Sequence, residues 1–342
     1  MAQSQPIWEV YVPIYGTYIE VSCNLRRQHN MTKTKIIIAG IGGVGGYFGG
    51  LLANHFHTNK NVEINFFARG GHLREIQNNG LKVIKGDSEF IAKPTLATDN
   101  PAEMGIADFI IVATKSYDLE TIVQQLRPCI NQDTIILPLL NGVDSRERIK
   151  HILPDNIVLD GCVYLVSRLK QVGVIENSGN IQKLYFGLDN FVNDRLSLLE
   201  SLLKDANIEA SLSENISTVI WEKFIFLSPT ATATSYFDKC IGELIADNEK
   251  LTTTAALIEE VKQIAKAKQI VISDDITEKT LTKLKALPFE ATSSMHSDFQ
   301  ANKPTNELES ITGYVINEGR KYNMVTPIYM KTYAELKKKS GI

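Results

Sequence analysis

The 342-residue sequence lacks several features that would assign it to a specialised class. No apolar run approaches the about 20 residues that a membrane-spanning helix requires. Neither sign of charge dominates, because the formal net charge is −3, and this balance argues against nucleic acid or an acidic membrane as partner. The four cysteines form no C-x-x-C pair and no metal-ligand spacing, so we predict reduced thiols, no metal site and a cytoplasmic protein. What is left is an ordinary globular composition, long enough for about two domains.

The first thirty residues differ from the rest of the chain. They have no basic start followed by an apolar stretch, because Glu9, Pro13 and Gly16 interrupt it, and this pattern argues against a signal peptide. Met31 is followed by a short polar run and then by a strand pattern that begins many nucleotide-binding domains. We therefore interpret residues 1–30 as an N-terminal extension outside the core.

A glycine-rich turn after the first apolar strand pattern is the central motif of the sequence. Gly40, Gly42 and Gly45 occupy the glycine positions of G-x-G-x-x-G, with Gly43 and Val44 between them. The first glycine permits a tight turn, the second lets backbone approach a pyrophosphate, and the third lets the following helix pack on the strand. Unpaired N–H groups at the start of that helix would face the phosphates. The strand-turn-helix context predicts a Rossmann-like dinucleotide-binding domain.

The end of the second predicted strand, at residues 62–67, indicates which dinucleotide binds. An acidic residue near this point holds the ribose 2′-hydroxyl of NAD in such domains. Here the nearest acid, Glu63, lies at the beginning of the strand, on the wrong edge of the sheet, and Arg69 follows its end. We therefore predict that Arg69 meets a 2′-phosphate and that NADPH is favoured. The alternative is an ordinary surface arginine.

Two further buried strand patterns end in polar residues. Residues 107–114 lead to Lys115, and residues 134–140 lead to Asn141. The carboxyl ends of parallel strands meet at one edge of a doubly wound sheet, where its ligands bind. We therefore expect Arg69, Lys115 and Asn141 to border one ligand crevice with the glycine turn.

The pattern of the chain changes twice after this sheet. From residue 158 it indicates a small β section, followed by a leucine-rich helix at 194–206 and a short strand at 208–212. Beyond that point the apolar period is helical. We therefore predict an α/β domain over residues 31–212 and an all-helical domain over residues 213–342.

A lysine interrupts the most apolar helix pattern of the second domain. Residues 216–227 are apolar nearly all round, which marks a buried helix. Lys223 within it either extends its ammonium to solvent or points into a cavity. In a cavity, desolvation would lower its pKa toward values useful for proton transfer. Pro229 is predicted to kink or end this helix.

Polar side chains return in residues 292–315. Ser294 lies at a predicted helix start, Pro304 breaks the chain, and Glu307 and Glu309 open the next helix. A structural explanation would suffice for either glutamate, because acids in a first helical turn are favoured by the helix dipole.

The order and spacing of these motifs resemble the ketopantoate reductase family over nearly the whole chain from Met31. The resemblance rests on GIGGVGGYFGG, ARGGHL, ATKSYD, LLNGV, WEKF, SSM and NELESITG. It implies a Rossmann-like NADP-binding domain and an all-helical C-terminal domain like that of 6-phosphogluconate dehydrogenase, with substrate between them. It also implies NADPH-dependent reduction of the 2-oxo acid ketopantoate to pantoate, on the route to pantothenate.

The resemblance implies a role for each candidate residue on the cofactor side. The glycine turn and Arg69 would hold NADPH, Lys115 looks like the family's cofactor-side lysine, and Asn141 like its asparagine between nicotinamide and substrate.

On the substrate side, Lys223 looks like the family's catalytic lysine, which donates a proton to the ketone oxygen and stabilises the alkoxide. Glu307 looks like the glutamate that binds the substrate hydroxyl, and Ser294 like the serine near the substrate carboxylate. Asp298 falls where the family often has an acid beside the site.

Two departures from the family pattern leave the substrate open. Leu227 and Ala231 stand where many members have substrate-binding asparagines, and the loss of each amide would cost a polar substrate about 1–3 kcal/mol. A reductase of a less polar 2-oxo or 3-oxo acid is therefore one alternative.

The spacing before Glu307 is the second departure. One extra residue precedes Glu307, so Glu309 is an alternative for its role.

Other function classes remain beside a reductase. A protein that senses NADPH without turnover is one, and Lys223 and Glu307 argue against it because a structural protein needs neither. A Rossmann methyltransferase is disfavoured by the arginine after the second strand. A homodimer through the apolar helices of the second domain is a further hypothesis.

Overall fold

A computed structural model of the chain describes residues 33–339. The extension predicted for residues 1–30 lies outside the described residues. The strands are β1 (Thr34–Ala39), β2 (Val62–Phe67), β3 (Leu81–Lys85), β4 (Ser88–Ala92), β5 (Leu96–Thr98), β6 (Phe109–Val112), β7 (Ile135–Pro138), β8 (Asp160–Gln171), β9 (Val174–Gly187) and β10 (Glu209–Leu212).

The helices divide between the two parts of the chain. The α-helices are α1 (Gly43–Phe56), α2 (Gly70–Asn79), α3 (Leu119–Gln125), α4 (Ser145–Ile152), α5 (Asp194–Asp205), α6 (Ile216–Phe237), α7 (Ile241–Ala246), α8 (Asn248–Ala267), α9 (Ile276–Lys285), α10 (Ser294–Gln300), α11 (Tyr314–Lys321) and α12 (Pro327–Lys339). Short 3₁₀ turns lie at Pro101–Glu103, Ser116–Asp118 and Arg127–Cys129, and a π-helical turn lies at Glu309–Gly313.

The first sheet is parallel, with strand order β5-β2-β1-β6-β7. Its central strand β1 contains Ile36, Ile37 and Ile38, all fully buried, because helices or a second sheet cover both faces. The chain leaves β1 in one direction toward β2 and β5, then crosses to the other side for β6 and β7. The strand order therefore reverses between β1 and β6, and such a reversal opens a crevice at the carboxyl ends of the strands.

A second sheet covers helix α1 from the other side. It has the order β10-β9-β3-β4, with β8 paired antiparallel to β9. Two glycines of α1 make the close packing possible: a methyl group on Gly50 would lie 2.6 Å from the Val83 side chain, and one on Gly46 would lie 2.6 Å from the Ile175 side chain. The glycine-rich helix is therefore held between two sheets, and the glycine turn before it is fixed in place.

The second part of the chain is all-helical and surrounds α6, as the sequence predicted. Helix α6 is buried along most of its length and packs against α8, α10 and α12. The sequence predicted a kink or an end at Pro229, and α6 continues through Pro229 to Phe237, so the second alternative, an end, is wrong. Proline removes one backbone donor, at a cost of about 3 kcal/mol, and burial on several sides offsets that loss. The hydroxyl of Thr230 also donates to the Phe226 carbonyl at 2.6 Å.

The two parts pack against each other, and residues from 33 onward form one compact unit. The parallel-sheet domain followed by a helical domain confirms the predicted fold class. The boundary predicted after residue 212 stays a prediction, and it falls in the turn between β10 and α6. Within residues 33–339, no helix combines the length and apolar character needed to cross a bilayer.

Candidate active site

The carboxyl edge of the first sheet carries the glycine turn. Gly40 follows β1 with φ +91, and a side chain there would lie 2.9 Å from the carbonyl of Ala113, which follows β6. A methyl group on Gly45 would lie 2.1 Å from the Gly40 carbonyl, so α1 packs directly on the turn. The turn therefore occupies the place where the strand order reverses.

The residues between these two glycines face different surroundings. A methyl group on Gly43 would lie 2.3 Å from the Ser167 carbonyl, so this glycine packs against β8. Val44 is half-buried in the first turn of α1. By contrast, a methyl group on Gly42 would meet no atom of residues 33–339 within 4 Å. Open space therefore adjoins Gly42, beside helix N–H groups that have no intrahelical acceptor. This cradle fits a dinucleotide pyrophosphate.

Arg69 follows β2 at the same edge. Its side chain is 73% exposed and lies 3.4 Å from an Asp118 carboxylate oxygen, a weak exposed contact that leaves the guanidinium free to move. Glu63 lies at the opposite edge of the sheet, where Lys33 donates to it at 2.9 Å. Arg69 therefore lies at the carboxyl edge of the sheet, next to Asp118, and the acid of β2 lies at the opposite edge.

Lys223 projects from α6 toward the α/β domain. Its ammonium donates to the Val163 carbonyl at 2.8 Å and to the Asn141 amide oxygen at 3.3 Å, and it lies 5.7 Å from the centre of the Tyr164 ring. Of the two orientations that the sequence left open, the structure has the one directed into the interior. Burial of the ammonium lowers the pKa of Lys223. Cys162 and Glu307 act in the opposite direction but offset only part of this effect.

Lys115, which follows β6, joins the α/β domain to the helical domain. Its ammonium donates to Glu307 at 3.2 Å and to Asp298 at 3.5 Å, and Lys303 donates to the second oxygen of Asp298 at 2.5 Å. Burial by itself would lower the pKa of Lys115, but the Glu307 and Asp298 carboxylates together raise it above its ordinary value. Both acids are buried, so the cluster holds two desolvated carboxylates, which the Lys115 ammonium joins and of which Asp298 also binds Lys303.

The structure separates the two candidate glutamates. Glu307 is 4% exposed and faces the cleft through Lys115. Glu309 is 66% exposed, and the Tyr333 hydroxyl donates to it at 2.5 Å on the outside of the helical domain. Glu307 lies in the bend before the helix and Glu309 begins the π-helical turn, so the two side chains point in different directions.

Ser294 and Asp298 lie on one face of α10. They are four residues apart, so their side chains project in the same direction. Asp298 reaches the Lys115 cluster, whereas Ser294 is exposed at the first residue of the helix. The structure therefore brings Lys115, Asp298 and Glu307 together, pairs Lys223 with Asn141, and leaves Ser294 and Arg69 at the margins.

The wall next to Lys223 is apolar. Leu227 lines the same pocket as Lys223 one helical turn further along α6, with apolar neighbours that include Leu140 and Phe224. Ala231 is buried against Met295 and Leu308. Of the two positions where many family members have asparagine, Leu227 thus lies in the apolar lining beside Lys223, and Ala231 lies in the hydrophobic core.

Several residues of this region were not predicted from the sequence. Tyr164 and Cys162 lie beside Lys223, but they belong to a strand pattern that suggests only a sheet. The Ser310 hydroxyl donates to the Ser116 hydroxyl at 2.8 Å across the domain boundary. Ser116 and Ser310 lie inside the ATKSYD and NELESITG motifs, and this position was the only sign in the sequence that they belong to the site.

Known sequences agree with this arrangement of domains and motifs. The sequence profile described as ketopantoate reductase PanE/ApbA matches residues 36–190, and the profile of its C-terminal part matches residues 215–340. The chain belongs to the ketopantoate reductase family. The family is one of oxidoreductases that use a nicotinamide dinucleotide.

Individual members of the ketopantoate reductase family match along most of their length. A 2-dehydropantoate 2-reductase of Streptococcus pyogenes is 30% identical over 312 residues, covering 88% of this chain and 96% of its own. An uncharacterized oxidoreductase of Bacillus subtilis, YkpB, is 26% identical over 303 residues, covering 88% of this chain and 97% of its own. In the crystal structure of 2-dehydropantoate 2-reductase from Porphyromonas gingivalis, the sequence is 38% identical to this one and the TM-score is 0.78. The match covers 89% of this chain and 99% of that chain.

Proposed function

We propose that this protein is an NADPH-dependent reductase of a 2-oxo acid and that its substrate is ketopantoate, which it reduces to pantoate. The observation that supports this most directly is the Lys223 ammonium, desolvated at the mouth of the dinucleotide crevice and bound to Asn141. Relatives named 2-dehydropantoate 2-reductase support the choice of substrate. The cytoplasmic location and the homodimer stay predictions.

The cofactor in this proposal is NADPH. The Gly42 cradle and the N–H groups at the start of α1 would hold the pyrophosphate, and Arg69 would hold the 2′-phosphate. Hydride for the reduction comes from the reduced nicotinamide when the cofactor is bound. Lys115 and Asn141 border the same crevice from the ends of β6 and β7.

Lys223 supplies the proton in this proposal. Its two hydrogen-bond acceptors within residues 33–339, the Val163 carbonyl and the Asn141 amide oxygen, are neutral, so neither holds its proton as a directly bonded carboxylate would. Burial lowers its pKa, which brings the acid closer to the strength that proton transfer near neutral pH requires. As negative charge develops on the ketone oxygen, the ammonium stabilises it and then donates the proton.

The acidic cluster orients the substrate in this proposal. Glu307 is buried at the cleft and can accept a hydrogen bond from a substrate hydroxyl in place of the one from Lys115. Ser294, on the same face of α10 as Asp298, can donate to the substrate carboxylate. These roles rest on the family resemblance together with the burial of Glu307.

The decisive experiment measures NADPH oxidation with a panel of 2-oxo acids that includes ketopantoate. We expect turnover, and we expect Lys223→Ala to lower kcat by about 10²–10⁴, the usual contribution of a general acid, with little change in NADPH binding. The exposed Lys204 on α5 provides the matched control, and Lys204→Ala should leave the rate unchanged. NADPH binding without turnover of any acid would instead support a sensor.

A second substrate class is favoured by one observation, the apolar lining that Leu227 and its neighbours form beside Lys223. A 2-oxo acid without the hydroxyl of ketopantoate would fit this surface better. The panel therefore includes 3-methyl-2-oxobutanoate, which differs from ketopantoate by that hydroxymethyl group. If it is preferred, Leu227→Asn should shift the ratio of kcat/KM toward ketopantoate by about tenfold, the value of one hydrogen bond.

The choice of dinucleotide has its own test. Arg69→Ala should weaken NADPH by about 10- to 100-fold, the value of a charge-assisted hydrogen bond, and leave NADH binding nearly unchanged. Equal losses for the two dinucleotides would contradict the 2′-phosphate contact, and so would a wild-type protein that uses NADH as well as NADPH.

A further inference from the structure

A half-buried histidine supports the glycine turn from behind. His72 lies in the first turn of α2, within the ARGGHL motif, and its Nε2 is 2.8 Å from the carbonyl oxygen of Ile41. Its Nδ1 is 2.9 Å from the backbone nitrogen of Gly173, in the turn between β8 and β9. One imidazole ring therefore joins the glycine turn to the second sheet.

The two partners fix the state of the ring. A carbonyl oxygen can only accept, so Nε2 carries the proton and donates to Ile41. A backbone N–H can only donate, so Nδ1 is unprotonated and accepts from Gly173. His72 is therefore neutral, in the Nε2–H form. Burial lowers its pKa, although the bond to Ile41 partly offsets this effect.

The carbonyl that His72 holds belongs to the peptide bond between Ile41 and Gly42. A peptide unit is planar and trans, so its N–H points away from its C=O. Fixing the Ile41 carbonyl on one side consequently fixes the direction of the Gly42 N–H on the other. Gly42 is the residue whose α-carbon adjoins open space, at the helix start where N–H groups lack intrahelical acceptors.

We propose that His72 is a positioning residue for dinucleotide binding, which holds the Ile41–Gly42 peptide so that the Gly42 N–H is directed at the pyrophosphate. A hydrogen bond to the carbonyl of a peptide also polarises it and strengthens its N–H as a donor. Gly173 keeps the ring from turning away. The proposal rests on the proposed function only for the identity of the ligand.

The experiment measures binding of NADPH and NADH by titration calorimetry, together with the thermal midpoint of unfolding. The variants are His72→Phe, which removes both ring nitrogens, His72→Gln, whose amide can still donate to Ile41, and His72→Asn, which is too short to do so. His151, an exposed histidine on α4, provides the control His151→Gln.

We expect His72→Phe to weaken both dinucleotides by the same factor, about tenfold, the loss of one well-aligned hydrogen bond. The factor is shared because the pyrophosphate is common to both, whereas Arg69→Ala should affect NADPH alone. His72→Gln should bind more tightly than His72→Asn, and kcat at saturating cofactor should stay within about twofold for all the folded variants.

Three outcomes would overturn the proposal. One is unchanged affinity in a folded His72→Phe protein, and another is a loss in kcat without a loss in affinity. If His72→Phe does not fold, the comparison of His72→Gln with His72→Asn decides, and equal affinities would overturn the proposal. A wild-type protein that binds neither dinucleotide would overturn the proposed function together with this inference.

Discussion

The surroundings of Lys223 determine how its activity should depend on pH. In its proposed role as general acid Lys223 must hold its proton, so we expect the rate of reduction to fall as the pH rises through the pKa of Lys223. Because burial lowers that pKa, we expect kcat to begin falling below the ordinary lysine value of about 10.4. A profile of kcat from pH 6 to pH 10.5 measures this. Lys223→Arg should lose the alkaline fall and lower kcat by about 10² or more, since arginine does not give up its proton. An alkaline fall that persists in Lys223→Arg would assign it to another group.

Asp160, at the start of β8, has a buried carboxylate, which we expect to lower the stability of the folded protein at neutral pH. Burial raises its pKa to about 6, with the Arg146 guanidinium lowering it and Asp189 raising it further; the Arg146 Nε atom is 3.9 Å away. A folded-state pKa above the unfolded value of about 3.9 means that the contribution to stability is complete below about pH 4 and is lost as the pH rises through 6.

Asp160→Asn, which stays neutral, should therefore raise the free energy of unfolding at pH 7 by about 1–3 kcal/mol, with the difference vanishing near pH 4. Urea unfolding at several pH values measures it, with Asp205→Asn at an exposed position of α5 as control. A difference that does not change with pH would show that the effect comes from packing rather than from charge.

At the level of elements, the glycine turn and α1 contain one glycine that is needed for folding, Gly45, and one that we expect to be needed only for binding, Gly42. A methyl group on Gly45 would meet the Gly40 carbonyl at 2.1 Å, whereas one on Gly42 would meet no atom of the described residues within 4 Å. Gly45→Ala should therefore destabilise the fold by about 1–3 kcal/mol, the usual effect of overpacking. Gly42→Ala should leave the thermal midpoint unchanged and weaken dinucleotide binding, because its methyl group enters the cradle. Denaturation and calorimetry on both variants check this, and a stable Gly45→Ala protein would contradict it.

The same elements show which parts of the fold can be predicted from sequence. Strand β1, the turn and α1 are determined by local signals. A strand that is buried on both faces is an apolar run in the sequence, and the tight turn after it requires glycine. Of the kink or end predicted at Pro229, the end was wrong because tertiary packing around α6 outweighs the local penalty of proline. The π-helical turn at Glu309–Gly313 was not predictable, since the apolar period of a sequence does not resolve a one-residue widening of a helix.

The candidate site was predictable only in part, for a related reason. The ends of β2, β6 and β7 placed Arg69, Lys115 and Asn141 at one edge, because parallel strands share a direction. The orientation of Lys223 could not be decided, since periodicity says that a position is buried and not which group it meets. The hydrogen bonds of His72 join three elements that are far apart in sequence, and no local pattern reports such a junction.

For the whole molecule, the Lys115 cluster connects the two domains. Glu307 is 4% exposed and Lys115 is 41% exposed, so solvent screens the pair from one side only. A double-mutant cycle with Lys115→Met and Glu307→Gln should give a coupling energy of about 1–2 kcal/mol, between the values of exposed and buried pairs. Urea unfolding of the four proteins measures it.

The exposed pair Lys82–Glu89 on β3 and β4 is the control. Its atoms are closer, at 2.8 Å, but the side chains are 39% and 58% exposed, so its coupling should be below about 0.5 kcal/mol. A coupling for Lys115 and Glu307 no larger than this would mean that their contact does little to hold the domains together.

The parallel pairing of β3 with β9 has a consequence for how the polypeptide is made. Lys82 pairs with Val174, so a chain emerging from the ribosome completes the β3–β4 hairpin long before the partner of its free edge has been translated. Unsatisfied strand edges invite pairing with other chains, and contacts between distant segments form slowly. Nascent chains in which β9 has not yet been synthesised therefore expose the unpaired edge of β3. The need for chaperones should be greatest between the synthesis of β3 and that of β9.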